Sequence, residues 1–189
     1  MNILVIGCRR VGSNLARVLD LAGHDVSVLA ENKADLSRLY EFTGYTFGGM
    51  TFTGIPVDTD ALKNAGIESM DAVTCVTADD NINLMAAQIA KEIFGVPQVI
   101  CRVADPVTKD IYSERFGMRA LCPTNLTVEA FADSLQEDLA ACSVTFGSST
   151  LGFSYTDVPP ELYNKPITVA PPMAGKQLVG VLRANQRVE

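Results

Sequence analysis

The sequence predicts an α/β fold of the Rossmann type, a doubly wound parallel sheet, followed by a small C-terminal α+β subdomain. Over the first 140 residues, short apolar runs alternate with segments of helical periodicity, the mark of successive βαβ units. Gly7 and Gly12 bracket the junction between the first apolar run and the first helix, where a phosphate-binding turn needs glycines. Beyond about residue 141 the texture changes: Ser143 to Ser149 is small and polar, prolines cluster at Pro159, Pro160, Pro166, Pro171 and Pro172, and helical periodicity ends.

The elements follow in order. Ile3 to Ile6 is an apolar run of strand type, and Val11 to Ala22 is a helix stopped by Gly23. Further strands are expected at Asp25 to Leu29, Met50 to Thr53, Ala72 to Val76, Val99 to Val103 and Ala120 to Cys122. Gly44 to Val57 carries Gly44, Gly48, Gly49, Gly54 and Pro56 and reads as a turn-rich connection around the Met50 to Thr53 strand. From Asn81 to Phe94, the residues Ile82, Met85, Ala86, Ile89, Ala90 and Ile93 recur at helical spacing until Gly95 and Pro97 end the segment. Pro106 to Phe116 is a helix with proline in its first turn and Gly117 after its last, and Thr127 to Leu139 is the final one. These signals divide the chain into a nucleotide-binding domain over 1–140 and a short domain over 141–189. The second part, with strand-like Gly152 to Tyr155 and Gln177 to Leu182, is too short to form a substrate-binding catalytic domain.

Composition excludes several classes of function. With 22 acidic against 15 basic residues the net charge is -7, which repels a phosphodiester backbone, so nucleic acid is not an expected partner. Cys8, Cys75, Cys101, Cys122 and Cys142 are scattered singly, mostly in apolar stretches, and His24 is the only histidine, so no metal-ligand spacing exists. The cysteines read as reduced core thiols of a cytosolic protein. No apolar run approaches the about 20 residues that span a bilayer, and the start lacks the pattern of a signal peptide.

The candidate chemistry sits where apolar runs end. In Gly7-Cys8-Arg9-Arg10-Val11-Gly12, the first glycine allows the tight turn and the last lets helix and strand approach, while the helix N-terminus offers N–H groups to an anion. Arg9 replaces the usual middle glycine. Arg9 and Arg10 are either phosphate-facing or solvated, Arg10 being the favoured phosphate contact. A ribose-binding acid is expected at the end of the second strand, yet the chain there reads Ala30-Glu31-Asn32. Ala30 has no group for that role; Glu31 or Asn32 fills it if the loop shifts by one residue, and a solvated Glu31 is the competing reading. No arginine follows, so an NADP 2′-phosphate has no obvious partner. Thr77-Ala78-Asp79-Asp80-Asn81-Ile82-Asn83 follows the fourth strand, with Asp79 or Asp80 as a helix N-cap and Asn83 in the first helical turn. Arg102 ends the fifth strand, pairing with either Asp105 or a phosphate.

These motifs together resemble the RCK (TrkA-N) domains, regulatory subunits of bacterial Trk/Ktr potassium uptake systems. The resemblance rests on residues 5–12, Gly23-His24-Asp25-Val26, 62–68, Asp71-Ala72-Val73, 77–83, Phe94-Gly95-Val96-Pro97, 102–106 and 123–127. Val158-Pro159-Pro160-Glu161-Leu162, Lys165-Pro166 and 179–183 resemble the opening of the family's C-terminal subdomain, without its expected final part. The resemblance implies a cytosolic, peripherally membrane-associated protein that dimerises, forms a ring and docks beneath a multi-span potassium-translocating subunit. It implies an adenine nucleotide ligand, AMP, ADP, ATP or NAD(H), whose binding alters gating. By position, phosphates would meet Arg10, Val11 and Gly12, the ribose Ala30 or Glu31, and the adenine Gly54 and Ile55. Thr77, Ala78, Asn83 and Arg102 would form the remaining wall. Arg9, Ala30 and Ile55, the last standing where most members carry an aspartate, depart from the family pattern. These departures point toward a mononucleotide, or toward a ligand-free scaffold that pairs with a competent subunit. An NAD-dependent oxidoreductase is the remaining alternative, but it needs a proton donor, and His24 lies in the wrong turn while no Tyr-x-x-x-Lys pair occurs.

Overall fold

A computed structural model describes residues 1–135, 141–146, 149–154, 157–163 and 180. Six strands, β1 (Asn2–Ile6), β2 (Asp25–Ala30), β3 (Met50–Thr53), β4 (Ala72–Cys75), β5 (Gln98–Arg102) and β6 (Arg119–Leu121), form one sheet of order β3-β2-β1-β4-β5-β6. Every pairing in it is parallel. Such a sheet needs cover on both faces, which explains why the inner strands β1, β2 and β4 read as largely apolar runs rather than alternating ones. Leu4 and Ile6 of β1 pack with Leu62, Val73 and Leu84 in one core, while Ile3 and Val5 join Val26, Val28, Ala16, Leu36 and Leu39 in the other.

The helices are α1 (Arg10–Leu21), α2 (Lys33–Leu36), α3 (Thr59–Asn64), α4 (Asp80–Gln88), α5 (Pro106–Phe116) and α6 (Pro123–Leu135). Their starts show which acids act as caps. Asp58 accepts from Asp60 N–H at 3.0 Å, Asp79 accepts from Asn81 N–H and Ile82 N–H, and Asp105 accepts from Thr108 N–H at 2.8 Å. The Thr108 hydroxyl, which also donates to Asp105, and then the Thr108 N–H hold the Asp105 carboxyl below its ordinary range. Gly117, at φ 56°, closes α5 in the left-handed conformation that disfavours a side chain.

Several expected boundaries shift. The Asn81 to Phe94 helix is α4 followed by a π turn over Ile89–Ile93. A short helical passage fills 33–40, and α3 follows β3, neither of which the periodicity had marked. The last helix starts at Pro123, four residues before the expected Thr127, because proline fits the first helical turn. The chain divides into two compact units, 1–130 and 131–189. In the second, β7 (Ala141–Phe146) pairs antiparallel with β8 (Ser149–Ser154). The small, polar run from Ser143 therefore contributes a strand, and the expected strand at Gln177 to Leu182 lies, apart from Gly180, outside the described residues.

Cys8, Cys75, Cys101 and Cys122 are free and buried. Burial, reinforced by the Asp35 charge, pushes the Cys8 thiol up to about 11, although Arg38 opposes this. Burial, with the Asp80 charge, pushes Cys101 up to about 11, and Cys75 is raised further, mainly by burial. The folded thiols thus hold their protons more tightly than the unfolded ones. Their contribution to stability is complete below pH 9 and is lost as pH rises toward 11. Under reducing conditions, urea unfolding should show stability flat from pH 7 to 8.5, then falling by up to about 1.4 kcal/mol per pH unit for each thiol. An unchanged stability at pH 10.5 would contradict this burial.

Candidate nucleotide site

The sheet order reverses between β1 and β4, and a crevice at the carboxyl ends of such strands is where open α/β sheets receive ligands. Two glycines bring the walls of that crevice together. Gly7 has φ +101°, and a Cβ on it would lie 2.7 Å from the Thr77 backbone nitrogen. A Cβ on Gly12 would lie 1.8 Å from the Gly7 carbonyl oxygen. With Gly7 N–H donating to Leu29 O at 2.8 Å, the end of β1 is locked between its two neighbouring strands. α1 then begins at Arg10, after an extended Arg9 whose side chain does not cap it. The first-turn N–H groups therefore lack helical acceptors at the crevice, a ready site for phosphate.

The arginines of the loop differ. Arg9 Nε lies 3.8 Å from an Asp35 carboxylate oxygen, and Arg38 Nε approaches the other oxygen of Asp35 at 3.9 Å. Arg9 is thus turned toward α2. Arg10 is exposed, and among the described residues its side chain has no hydrogen bond or ion pair. The sequence offered no basic partner near the end of β2, but folding returns Arg38 to it. The reason is that 33–40 turns back along the sheet, with Leu36 and Leu39 anchored in the core.

At the end of β2, Ala30 is 2% exposed and its carbonyl accepts from Gly54 N–H at 3.0 Å. Glu31 and Asn32 are exposed, and Asn32 precedes α2 without capping it through its side chain. Gly54 is required by packing, since a Cβ there would meet Ala61 Cβ at 2.7 Å, while Ile55 projects from the surface.

The opposite wall is a single polar network. Asn83, fully buried, accepts from Thr77 N–H at 2.7 Å and from the Thr77 hydroxyl at 2.8 Å. Its amide donates to Thr77 O and Arg102 O. Arg102 Nη1 also donates to Thr77 O, at 2.9 Å. Of the partners weighed for Arg102, Asp105 is not the one chosen, because it caps α5 instead. Thr77, Asn83 and Arg102 hold the wall in place, and Ala78 is exposed at its lip. Asp80, whose role was left open, ties this wall to the next: it accepts from Ala104 N–H at 2.7 Å and from Asp105 N–H at 3.3 Å. Asp35, Arg38 and Asp80 are thus the polar residues that sequence reasoning did not place. The only available hint for the first two was their spacing of three, which puts them on one helical face. Among the described residues no His, Cys, Asp and Glu side chains gather in a way that could hold a metal ion.

Two substitutions test this geometry. Gly12→Ala forces backbone apart and should cost at least about 3 kcal/mol in urea unfolding, whereas Gly48→Ala, with only Asp20 at ordinary contact distance, should change little. Asn83→Ala strands buried partners on Thr77 and Arg102 and should cost about 2–4 kcal/mol by the same measurement. A loss under about 0.5 kcal/mol would show that the network is dispensable.

Residues 3–122 match the family model described as the TrkA-N domain. The Trk system potassium uptake protein TrkA of Streptomyces coelicolor is 42% identical over 135 residues, which is 71% of this chain and 56% of that protein. The chain spans about half the length of the curated relatives it matches. The crystal structure of the TrkA-N domain of the inner membrane protein YbaL from Escherichia coli superposes with TM-score 0.62 at 16% identity, covering 71% of this chain and 96% of that one. The GsuK channel bound to NAD superposes with TM-score 0.59 at 18% identity, covering 76% and 25%, and GsuK bound to ADP with 0.58 at 17%, covering 71% and 34%. By the match of its parallel-sheet unit, the chain belongs to the TrkA-N domain family.

Proposed function

We propose that this chain is the nucleotide-sensing part of a regulatory subunit of a potassium uptake system, and that an adenine nucleotide occupies the crevice between β1 and β4. The observation that carries the reading is the close approach of Gly12 to Gly7, with no room for a Cβ on either, which sets the start of α1 at the point where the strand order reverses. The TrkA relative and the NAD- and ADP-bound GsuK neighbours support it. In this reading Gly7, Arg10, Val11 and Gly12 receive phosphates, and Ala30, Glu31, Asn32, Gly54 and Ile55 surround the adenosine. Thr77, Ala78, Asn83 and Arg102 form the far wall.

The reading is one of binding rather than turnover. His24 lies between α1 and β2, at the opposite edge of the sheet from the crevice, and the acids nearest the far wall are engaged by backbone N–H groups. A regulatory output requires a ligand that favours one of two assembled states, since equal affinity for both shifts nothing. Self-association is consistent with α5, an 11-residue helix without a buried side chain, which exposes Val107, Ile111 and Phe116. The proposed partner is a multi-span potassium-translocating subunit, with this chain on the cytoplasmic face of the membrane. No described helix is long and apolar enough to cross a membrane.

Thermal unfolding with AMP, ADP, ATP, NAD and NADH tests the site. A ligand at about 100 times its Kd stabilises by about 2.7 kcal/mol, which for a chain of this size raises Tm by about 5–10 °C. Silence from all five would remove the sensor reading and favour a ligand-free scaffold.

A further inference from the structure

The cleft departs from an ordinary NAD-type site on one side only. Where a ribose 2′-hydroxyl is usually read by an acid at the end of the second strand, this chain has the buried methyl of Ala30. In place of that acid, two guanidinium groups converge beside the loop. Arg9 and Arg38 each reach Asp35 only through Nε, at 3.8 and 3.9 Å, beyond hydrogen-bonding distance. Arg38 Nε is buried without a hydrogen-bond partner. The Nη edges of both forks are uncommitted among the described residues, and the charges of Asp35 and Arg38 both reach the Cys8 thiol within the loop. The exposed Glu31 and Lys33 beyond the end of β2 offset each other, so with Asp35 the two arginines leave a net positive charge.

We propose that Arg9 and Arg38 form a subsite for a phosphate on the 2′ position of the adenosine ribose, so that the crevice prefers NADP(H)-type nucleotides to their NAD(H) counterparts. This rests on the reading of the crevice as an adenine-nucleotide site and names the class of ligand for it. An acid at the end of β2 would repel such a phosphate, and Ala30 does not. Partly exposed single-point ion pairs are weak, so Asp35 holds the two forks without binding them tightly. A dianionic phosphate accepts from planar forks in bidentate fashion and displaces Asp35 as their partner.

Calorimetric titration of the full chain with AMP and with adenosine 2′,5′-bisphosphate isolates the extra phosphate, and NAD against NADP repeats the comparison on dinucleotides. The 2′-phosphorylated member of each pair should bind at least about tenfold more tightly. The Arg9→Ala, Arg38→Ala double variant should reduce that preference to within about twofold while leaving AMP affinity in place, and Asp35→Asn should enlarge it. Equal or weaker binding of the 2′-phosphorylated ligands to the native chain overturns the proposal while leaving the nucleotide site standing, and needs no variant. A preference that survives in the double variant overturns the role of the arginines. If no ligand of the four binds, this proposal falls, and the nucleotide site falls with it when ADP, ATP and NADH are silent as well.

Discussion

The fold turns on the contact between Gly12 and Gly7. The first-turn backbone of α1 lies against the carbonyl that ends β1, closer than any side chain permits. That contact decides three things at once. It aims the start of α1 into the crevice, sets Gly7 against the Val76–Thr77 backbone, and places Ser13 and Ala16 of α1 in the interior. A helix standing off by the width of a methyl group would lose both the anion site and the core behind it.

The far wall depends on a different kind of constraint. Thr77 follows β4, where its backbone would otherwise have no regular partner. Asn83 reaches back from α4 to satisfy it on both its donor and its acceptor side. Such a network is stable only when complete, because each unpaired group in a buried position costs more than a bond to it returns. The wall is therefore rigid for structural reasons, and its polar side chains are largely occupied before any ligand arrives.

Much of this was legible in the sequence for a reason that differs from element to element. β1, β2 and β4 could be read because a doubly covered parallel strand is largely apolar, and the turn at Gly7 could be read because only glycine survives there. The passage over 33–40 was not legible. Only Leu36 and Leu39 of it are buried, too few for a periodic signal, and its importance lies in where Asp35 and Arg38 come to rest. Similarly, Asn83 and Arg102 could be placed at the crevice by position, but spacing along the chain says nothing about whether a side chain faces a ligand or a neighbouring carbonyl. The strand from Ala141 to Phe146 was hidden because its second half was grouped with the small, polar run from Ser143 to Ser149, which resembles a linker until β8 pairs with it.

The departures from an ordinary dinucleotide loop are not scattered. Arg9, Ala30 and Ile55 all lie on the β1–β2–β3 side, whereas the switch point, the Gly7–Gly12 contact and the Thr77–Asn83–Arg102 wall keep the geometry that a phosphate needs. Both glycines are required by the packing of α1 against the ends of β1 and β4, whatever the crevice holds. Arg9 does not obstruct the loop, since it leans away toward Asp35 and leaves the start of α1 uncovered. The altered residues therefore leave the start of α1 open and change only its surroundings on the β2 and β3 side.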